Sequence, residues 1–395
     1  MTMALEGITV LDLCGFPGVW TAMAMADFGA DVIRIREVAV EGRRSEQAAR
    51  VGTQRRSPGV RQDYMNRNKK SICLNLKHPE AREAFYRLVD GADVLLEGFR
   101  PGVAKRLKID YETLSGRNPR LIYCAITGYG QDGPYAHLVG HDINYISIAG
   151  AQGLMGPRNG LPALPSQQLA DLGGGGQGAL IGILLALQAR HRTGKGQMVD
   201  ISMTDGVVSW LVTHAAPYFA DGTLEPRGDT LQTGRWPNYY VYETKDHRLI
   251  TIAALEPWFW ENLCTLLGRE DLIPYEFDEP RREEIRAVFA EIFKTRTRDE
   301  WWEYLNTRDV CVGKVYDLNE VFEDPQVKHR GMVVDLKEPG KGEMRMLGIP
   351  WKLSATPGGV RHLPPAEGED TDEILRGLNY TDVDLGRLRQ EGAIK

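Results

Sequence analysis

The sequence contains little cysteine, no cysteine pair motif and no long hydrophobic run. Its 395 residues include five scattered cysteines, an odd number, with no Cys-x-x-Cys spacing. This argues against a disulfide framework and against a zinc site. The longest apolar run, Gly178–Leu187, is shorter than the ~20 residues of a membrane helix and is typical of a buried helix. The first residues lack the pattern of a signal peptide, so we expect a cytoplasmic protein with no membrane partner.

The usual glycine-rich nucleotide motifs are missing as well. No Gly-x-Gly-x-x-Gly follows the first strand-like segment, where Gly15-Phe-Pro-Gly18 stands instead. The turn Gly194-Lys-Gly196 lacks the other residues of a phosphate-binding loop. Dinucleotide oxidoreduction and P-loop hydrolysis are therefore disfavoured.

The net charge of −6 argues against general nucleic-acid binding, but the charge is unevenly distributed. Residues 34–108 contain 18 Lys or Arg and 9 Asp or Glu, a net of +9, so the remaining residues carry −15. A basic segment on an acidic protein indicates a local anionic partner. A solvated basic face is the alternative explanation.

Strand-like and helix-like segments alternate through the first 130 residues. The strand-like segments are 8–13, 31–35, 71–76, 93–97 and 121–126. Such alternation predicts βαβ units and a parallel sheet, which binds ligands at the carboxyl ends of its strands. Residues 38–66 interrupt the pattern with a long polar, Arg-rich loop.

Two further changes of character divide the chain. Four glycines, Gly173–Gly176, precede an apolar helix expected at about 177–191. From about residue 225, a hairpin around Lys245-Asp246 and helices at about 257–267, 281–294 and 298–307 predict a smaller α+β domain. We therefore expect a large domain in 1–224, a small one in 225–325, and a return to the large domain in 326–395.

Three titratable residues near glycine-rich turns are candidates for chemistry. His141 and Asp142 follow the strand 121–126 and a turn-rich segment, and Asp171 comes shortly before the four glycines. His141 alone could be a hydrogen-bonded structural histidine, and both aspartates could be helix caps. The glycines beside Asp171 favour function, because glycine lets a ligand approach the backbone closely.

Several segments resemble the family III CoA-transferases, and the resemblance covers nearly the whole chain. They are Leu5–Leu13, Ala26–Arg34, Arg67–Ile72, Glu97–Gly102, Arg192–Asp200 and Glu320–Gly331. The resemblance implies a Rossmann-like α/β domain, a small domain and an interlocked homodimer. The active site would lie between the large domain of one subunit and the small domain of the other. The Trp-rich helices around Trp258, Trp260, Trp301 and Trp302 are expected in the core or at a dimer contact.

The family performs two chemistries, and the resemblance assigns residues to each. In CoA transfer an aspartate becomes an aspartyl-CoA thioester, and Asp142 matches that position. In α-methylacyl-CoA racemisation the signature Gly-His-Asp-Ile-Asn-Tyr is present intact as Gly140–Tyr145. There His141 and Asp171 match the acid/base pair, and Glu256 matches the residue that supports the histidine.

Racemisation needs one group to remove the α-proton and another to deliver a proton to the opposite face, each contributing about 10²–10⁴-fold. The intact motif favours the racemase, because His141 has no evident role in aspartyl-thioester chemistry. The resemblance of Tyr64–Lys70 to the transferase subgroup keeps CoA transfer as the alternative.

An acyl-CoA substrate would account for the basic segment, since Arg and Lys bind phosphates well. We expect no separate cofactor and no metal. The resemblance places an arginine where Glu37 stands; Arg36 lies one residue earlier, which leaves that contact open. The residues expected to contact the CoA thioester are Arg36, Leu74, Asn75, Leu76, Lys77, Arg100, Gly140, Asn144 and Tyr145.

Overall fold

The computed structural model describes residues 2–38 and 64–395. Most of the predicted loop 38–66 therefore lies outside the described residues. The chain divides into two compact units, one within 1–149, 166–210 and 329–395, and the other in 150–165 and 211–328. The domain boundaries expected near 225 and 325 stay a prediction.

A parallel sheet of six strands forms the centre of the first unit. Its order is β3-β2-β1-β4-β5-β6, and every neighbouring pair is parallel. The strands are β1 (Thr9–Asp12), β2 (Asp31–Arg36), β3 (Lys69–Cys73), β4 (Val94–Glu97), β5 (Ile122–Thr127) and β6 (Met198–Ser202). From β1 the next strands along the chain are added on one side, and from β4 they are added on the other side. Folds of this kind bind ligands at the point where the direction changes, here between β1 and β4. The predicted α/β class is confirmed, with β3 starting two residues earlier than the pattern indicated.

Helices and a short hairpin complete this unit. The consecutive strand residues Val10 and Leu11, whose side chains point to opposite faces of the sheet, are both fully buried, as a sheet covered on both sides requires. The helices are Gly18–Asp27, Pro79–Asp90, Val103–Leu107, Tyr111–Arg117, Asp142–Ile148, Gly178–Thr193, Met203–Val208, Thr371–Gly377 and Asp382–Gln390. The hairpin pairs β10 (Val333–Glu338) with β11 (Gly342–Leu347).

The second unit has its own antiparallel sheet and aromatic core. Its strands are β7 (Tyr239–Glu243), β8 (Leu249–Ala253) and β9 (Val312–Lys314). Its helices are Ala151–Leu154, Val212–Asp221, Pro257–Leu266, Arg282–Phe293, Arg298–Leu305 and Leu318–Val321, and Pro325–His329 spans the boundary. The predicted hairpin and the three helices after it are confirmed. Trp260 and Trp301 are buried in this core, whereas Trp258 is exposed.

The apolar helix of the first unit differs from its prediction. A π-helical segment, Leu169–Gln177, continues directly into Gly178–Thr193. By length and composition alone this joined run could cross a membrane, a test that core helices of soluble proteins also pass. The expectation that the run is too short was therefore wrong. In the single chain the helix is not fully buried either: Ile181 and Leu185 are 58% and 66% exposed.

Candidate active site

A cavity of about 210 Å³ lies at the carboxyl ends of β4 and β5. It is lined by the loop after β4, including Phe99 and Arg100, and by the loop after β5. His141 and Asp171 both line it. Two residues that are 30 positions apart thus share one cavity, as the racemase pattern requires.

The Asp142 carboxylate joins the two segments that carry this pair. Asp142 begins the helix Asp142–Ile148, and its Oδ2 accepts hydrogen bonds from the backbone N–H groups of Ala170 (2.8 Å) and Asp171 (2.9 Å). The backbone N–H of His141 donates to Oδ1 of Asn144 at 3.0 Å. Asp142 itself does not appear among the described residues that line the cavity. Its carboxylate therefore fixes the backbone of Asp171 relative to His141.

The environment of Asp171 favours its protonated form. Burial is the main cause, the nearby Asp142 carboxylate adds to it, and His141 opposes it; together they raise the pKa of Asp171 from 3.8 to about 6. A carboxyl group with such a pKa can both accept and donate a proton near neutral pH. Asp171 also lies in a π-helical segment, a rare structure that is frequent at functional sites.

The four glycines beside Asp171 have a packing role that the sequence did not indicate. A Cβ added at Gly174 would lie 2.4 Å from the backbone oxygen of Met203, and one at Gly173 would lie 2.0 Å from the ring of Trp210. The helix Met203–Val208 therefore packs directly against the glycine backbone. Close contact within the protein is sufficient to explain why Gly173 and Gly174 lack side chains. Close approach of a ligand to the glycines stays a prediction.

Tyr145 and its glycine neighbours shape the cavity wall. The Tyr145 hydroxyl donates to the backbone oxygen of Gly140 at 2.6 Å. A Cβ at Gly128 or Gly140 would lie 2.1 or 2.7 Å from the Tyr145 ring, so both glycines make room for it. The predicted contacts of Gly140, Asn144 and Tyr145 with a thioester stay predictions, but Gly140 and Tyr145 do line the cavity.

A second cavity, of about 560 Å³, is lined by four of the predicted CoA-binding residues. Arg36, Leu74, Leu76 and Lys77 line it. Asn75 is absent from the described lining, and its side chain instead donates to the backbone oxygen of Gly392 at 3.2 Å. Within the segment 74–77, Asn75 thus contacts the C-terminal tail, while the other three residues line the cavity.

The charges around this second cavity are mixed. Arg34, Arg36 and Lys77 supply positive charge, while Glu37 and Glu367 supply negative charge. Lys77 and Glu37 form an exposed ion pair at 3.0 Å. Arg36 and Glu37 both line the cavity, so the displaced arginine reaches the same cavity as position 37. Its contact with CoA stays a prediction.

Phe99 was missed by the sequence reasoning, although it lies inside a segment that carried the resemblance. It lines both cavities, and so marks the place where they adjoin. Its position directly after β4 and beside Arg100 was the available signal.

Glu256 belongs to the second unit, where it precedes the helix Pro257–Leu266 and is exposed. Its support of His141 stays a prediction. Across residues 2–38 and 64–395, no three His, Cys, Asp or Glu side chains are grouped so that they could hold a metal ion.

Residues 5–371 match the sequence pattern of the protein family "CoA-transferase family III". The chain belongs to this family. It is 34% identical to "Alpha-methylacyl-CoA racemase" of Homo sapiens, covering 100% of this chain and 98% of the relative. It is 33% identical to "Formyl-CoA:oxalate CoA-transferase" of Rhodopseudomonas palustris (strain TIE-1), again covering 100% and 98%.

A solved structure supports the fold. The CAIB/BAIF family protein from Brucella suis is 30% identical and has a TM-score of 0.81, covering 96% of this chain and 100% of that one. Racemases and CoA-transferases both occur among the relatives, so the family supports an enzyme but leaves isomerase and transferase as alternatives.

Proposed function

We propose that the protein racemises 2-methylacyl-CoA thioesters by moving the α-proton between the two faces of the α-carbon. One observation carries the proposal: His141 and Asp171 line the same cavity. The Asp142 carboxylate, by contrast, accepts hydrogen bonds from two backbone N–H groups. The intact Gly140–Tyr145 motif and the identity to a racemase support it.

The proposed step conserves protons and electrons. Neutral His141 removes the α-proton, and the electron pair of the C–H bond moves into the thioester as an enolate. Protonated Asp171 then donates its proton to the opposite face of the α-carbon. For the other enantiomer the roles reverse, so the carboxyl group must be stable in both forms. Its pKa of about 6 supports this use.

We further propose that the second cavity, lined by Arg36 and Lys77, holds the adenosine and phosphate part of CoA. Arg100 lines the first cavity, and we propose that it contacts the phosphate region where the two cavities adjoin. The predicted interlocked dimer, in which Glu256 of a second copy supports His141, and a cytoplasmic location belong to the same proposal. CoA is then part of the substrate and no further cofactor is needed.

The alternative is a CoA-transferase with Asp142 as the nucleophile, favoured by the identity to formyl-CoA:oxalate CoA-transferase. One experiment separates the two functions. A panel of chiral 2-methylacyl-CoA esters is incubated in D2O with the protein, and deuterium at the α-carbon is followed by NMR. A racemase exchanges and inverts the α-position without any free carboxylate present.

The transferase would instead require a free carboxylate and would form an enzyme thioester that hydroxylamine traps. No exchange with any thioester in the panel would contradict the racemase. Trapping at Asp142 would then establish the alternative.

A further inference from the structure

Glu97 is a buried carboxyl group that the proposed chemistry does not use. It is the last residue of β4 and is only 3% exposed. Glutamate is rarely buried so completely unless it is paired or hydrogen-bonded. Its position at the carboxyl end of a central strand places it directly before the loop that lines both cavities.

Two hydrogen bonds account for its burial. Oε2 accepts from the backbone N–H of Phe99 at 2.6 Å, and the hydroxyl of Tyr123 lies 3.4 Å from Oε1. The first of these bonds is short and spans only two residues, so it fixes the direction in which the chain leaves the strand. Phe99, the residue held by this bond, is the one that lines both cavities.

We propose that Glu97 is a positioning residue for CoA binding: its carboxylate holds the backbone of Phe99 where the CoA cavity adjoins the cavity of His141 and Asp171. The proposal rests on the proposed use of a CoA thioester. It applies equally to a racemase and to a transferase, since both must place the thioester end of CoA in the first cavity.

Because Glu97 is itself ionisable, we expect its positioning role to depend on pH. Burial, with a contribution from Asp200 on β6, raises the pKa of Glu97 from 4.5 to about 7, against the Phe99 and Tyr123 hydrogen bonds. Tyr123 and Cys124 on β5 and Cys14 after β1 also interact with it electrostatically. Above pH 7 the carboxylate predominates and accepts the Phe99 N–H more strongly than the neutral acid does. We therefore expect CoA affinity to rise with pH through about 7.

The test measures CoA binding by calorimetry at pH 8.5 for the wild type, Glu97→Gln and Glu97→Ala. Glu97→Ala removes the acceptor, and we expect about tenfold weaker binding; Glu97→Gln keeps an oxygen but loses the charge, and we expect about threefold. With a substrate, these changes should appear in KM, with kcat at saturation within about twofold. Glu83→Gln, which alters an exposed carboxylate that forms an ion pair with Arg87, is the matched control.

A pH series gives a readout that a purely structural role would not change. Binding of 3′-dephospho-CoA, which lacks the terminal phosphate that titrates near ~6, is measured from pH 6 to 8.5. We expect the affinity to rise through about 7 for the wild type and to stay flat for Glu97→Gln.

Wild-type affinity in both Glu97 variants at pH 8.5, or parallel pH profiles, would overturn the proposal. If neither variant folds, a flat wild-type profile still overturns it. If the wild type does not bind CoA at all, the proposed function fails instead, so the two failures are distinguishable.

Discussion

The substitution Asp171→Asn tests the proposed acid/base pair most directly. It keeps the size of the side chain and removes its ability to exchange a proton. The backbone N–H of Asp171, not its side chain, donates to Asp142 Oδ2, so the connection between the two segments survives. The change is therefore confined to the group that lines the cavity.

The expected loss follows from the role of the carboxyl group. General acid or base catalysis contributes about 10²–10⁴-fold, so we expect racemisation to fall at least ~100-fold. Stability should not fall with it. Because folding raises the pKa of Asp171 from 3.8 to about 6, ionisation of this group is less favourable in the folded protein than in the unfolded chain, and it lowers stability at pH 8. The asparagine variant at pH 8 should have an equal or higher free energy of unfolding.

The assay compares deuterium exchange with inversion for each enantiomer separately. With only His141 left, the enantiomer whose α-proton faces the imidazole should still exchange in D2O with retention, while the other should not exchange. Asp132→Asn, an exposed aspartate in the same unit, is the control and should behave as wild type. Inversion by Asp171→Asn at more than a tenth of the wild-type rate would refute the reasoning, as would equal exchange of both enantiomers.

Three further outcomes are expected. Asp142→Asn keeps an acceptor for the two backbone N–H groups, so racemisation should fall by no more than about tenfold; complete loss together with loss of a hydroxylamine-trapped thioester would favour the transferase. The pH profiles of kcat/KM should have one bell shape for both enantiomers, because both reactive forms of the pair carry a single proton; profiles that differ would exclude the pair. Gly174→Ala should lower the free energy of unfolding by about 2 kcal/mol in thermal denaturation, since its Cβ would meet the Met203 oxygen at 2.4 Å. Gly116→Ala, with open space around it, should be neutral or stabilising by up to ~1 kcal/mol, and an equal loss at both positions would contradict the packing argument.

The sheet could be predicted because its signal is local. Short apolar segments alternate with amphipathic helices, and each βαβ unit has one favoured hand. The expectation that His141 and Asp171 share a site came from the family pattern, and the cavity lining agrees with it. The neighbouring strands β2 and β3 likewise bring four predicted residues to one cavity, since Arg36 ends β2 and the others follow β3: Leu74, Leu76 and Lys77.

What could not be predicted depends on contacts between groups that lie far apart in the sequence. Asn75 donates to Gly392, more than 300 positions away, and its sequence neighbours contain no sign of that partner. The two N–H groups that donate to the Asp142 carboxylate lie 28 and 29 residues further along the chain, and they are main-chain groups that every residue except proline possesses. The packing role of Gly173 and Gly174 was missed for the same reason, since the atoms that leave no room for a side chain there belong to Trp210 and Met203.

The strand order explains why two cavities, and not one, serve a single proposed ligand. The larger cavity is lined by the end of β2 and by residues that follow β1, β3 and β4. The smaller cavity is lined mainly by residues that follow β4 and β5. The loop after β1 also reaches both, with Phe16 at the smaller cavity and Leu13, Cys14 and Gly15 at the larger. Among the described residues, however, Phe99 in the loop after β4 is the single one that lines both cavities. A long thioester with its phosphates at one end and its reacting carbon at the other would have to pass this loop. The proposed control of CoA binding by Glu97 follows from that topology, since Glu97 is the residue at which β4 ends.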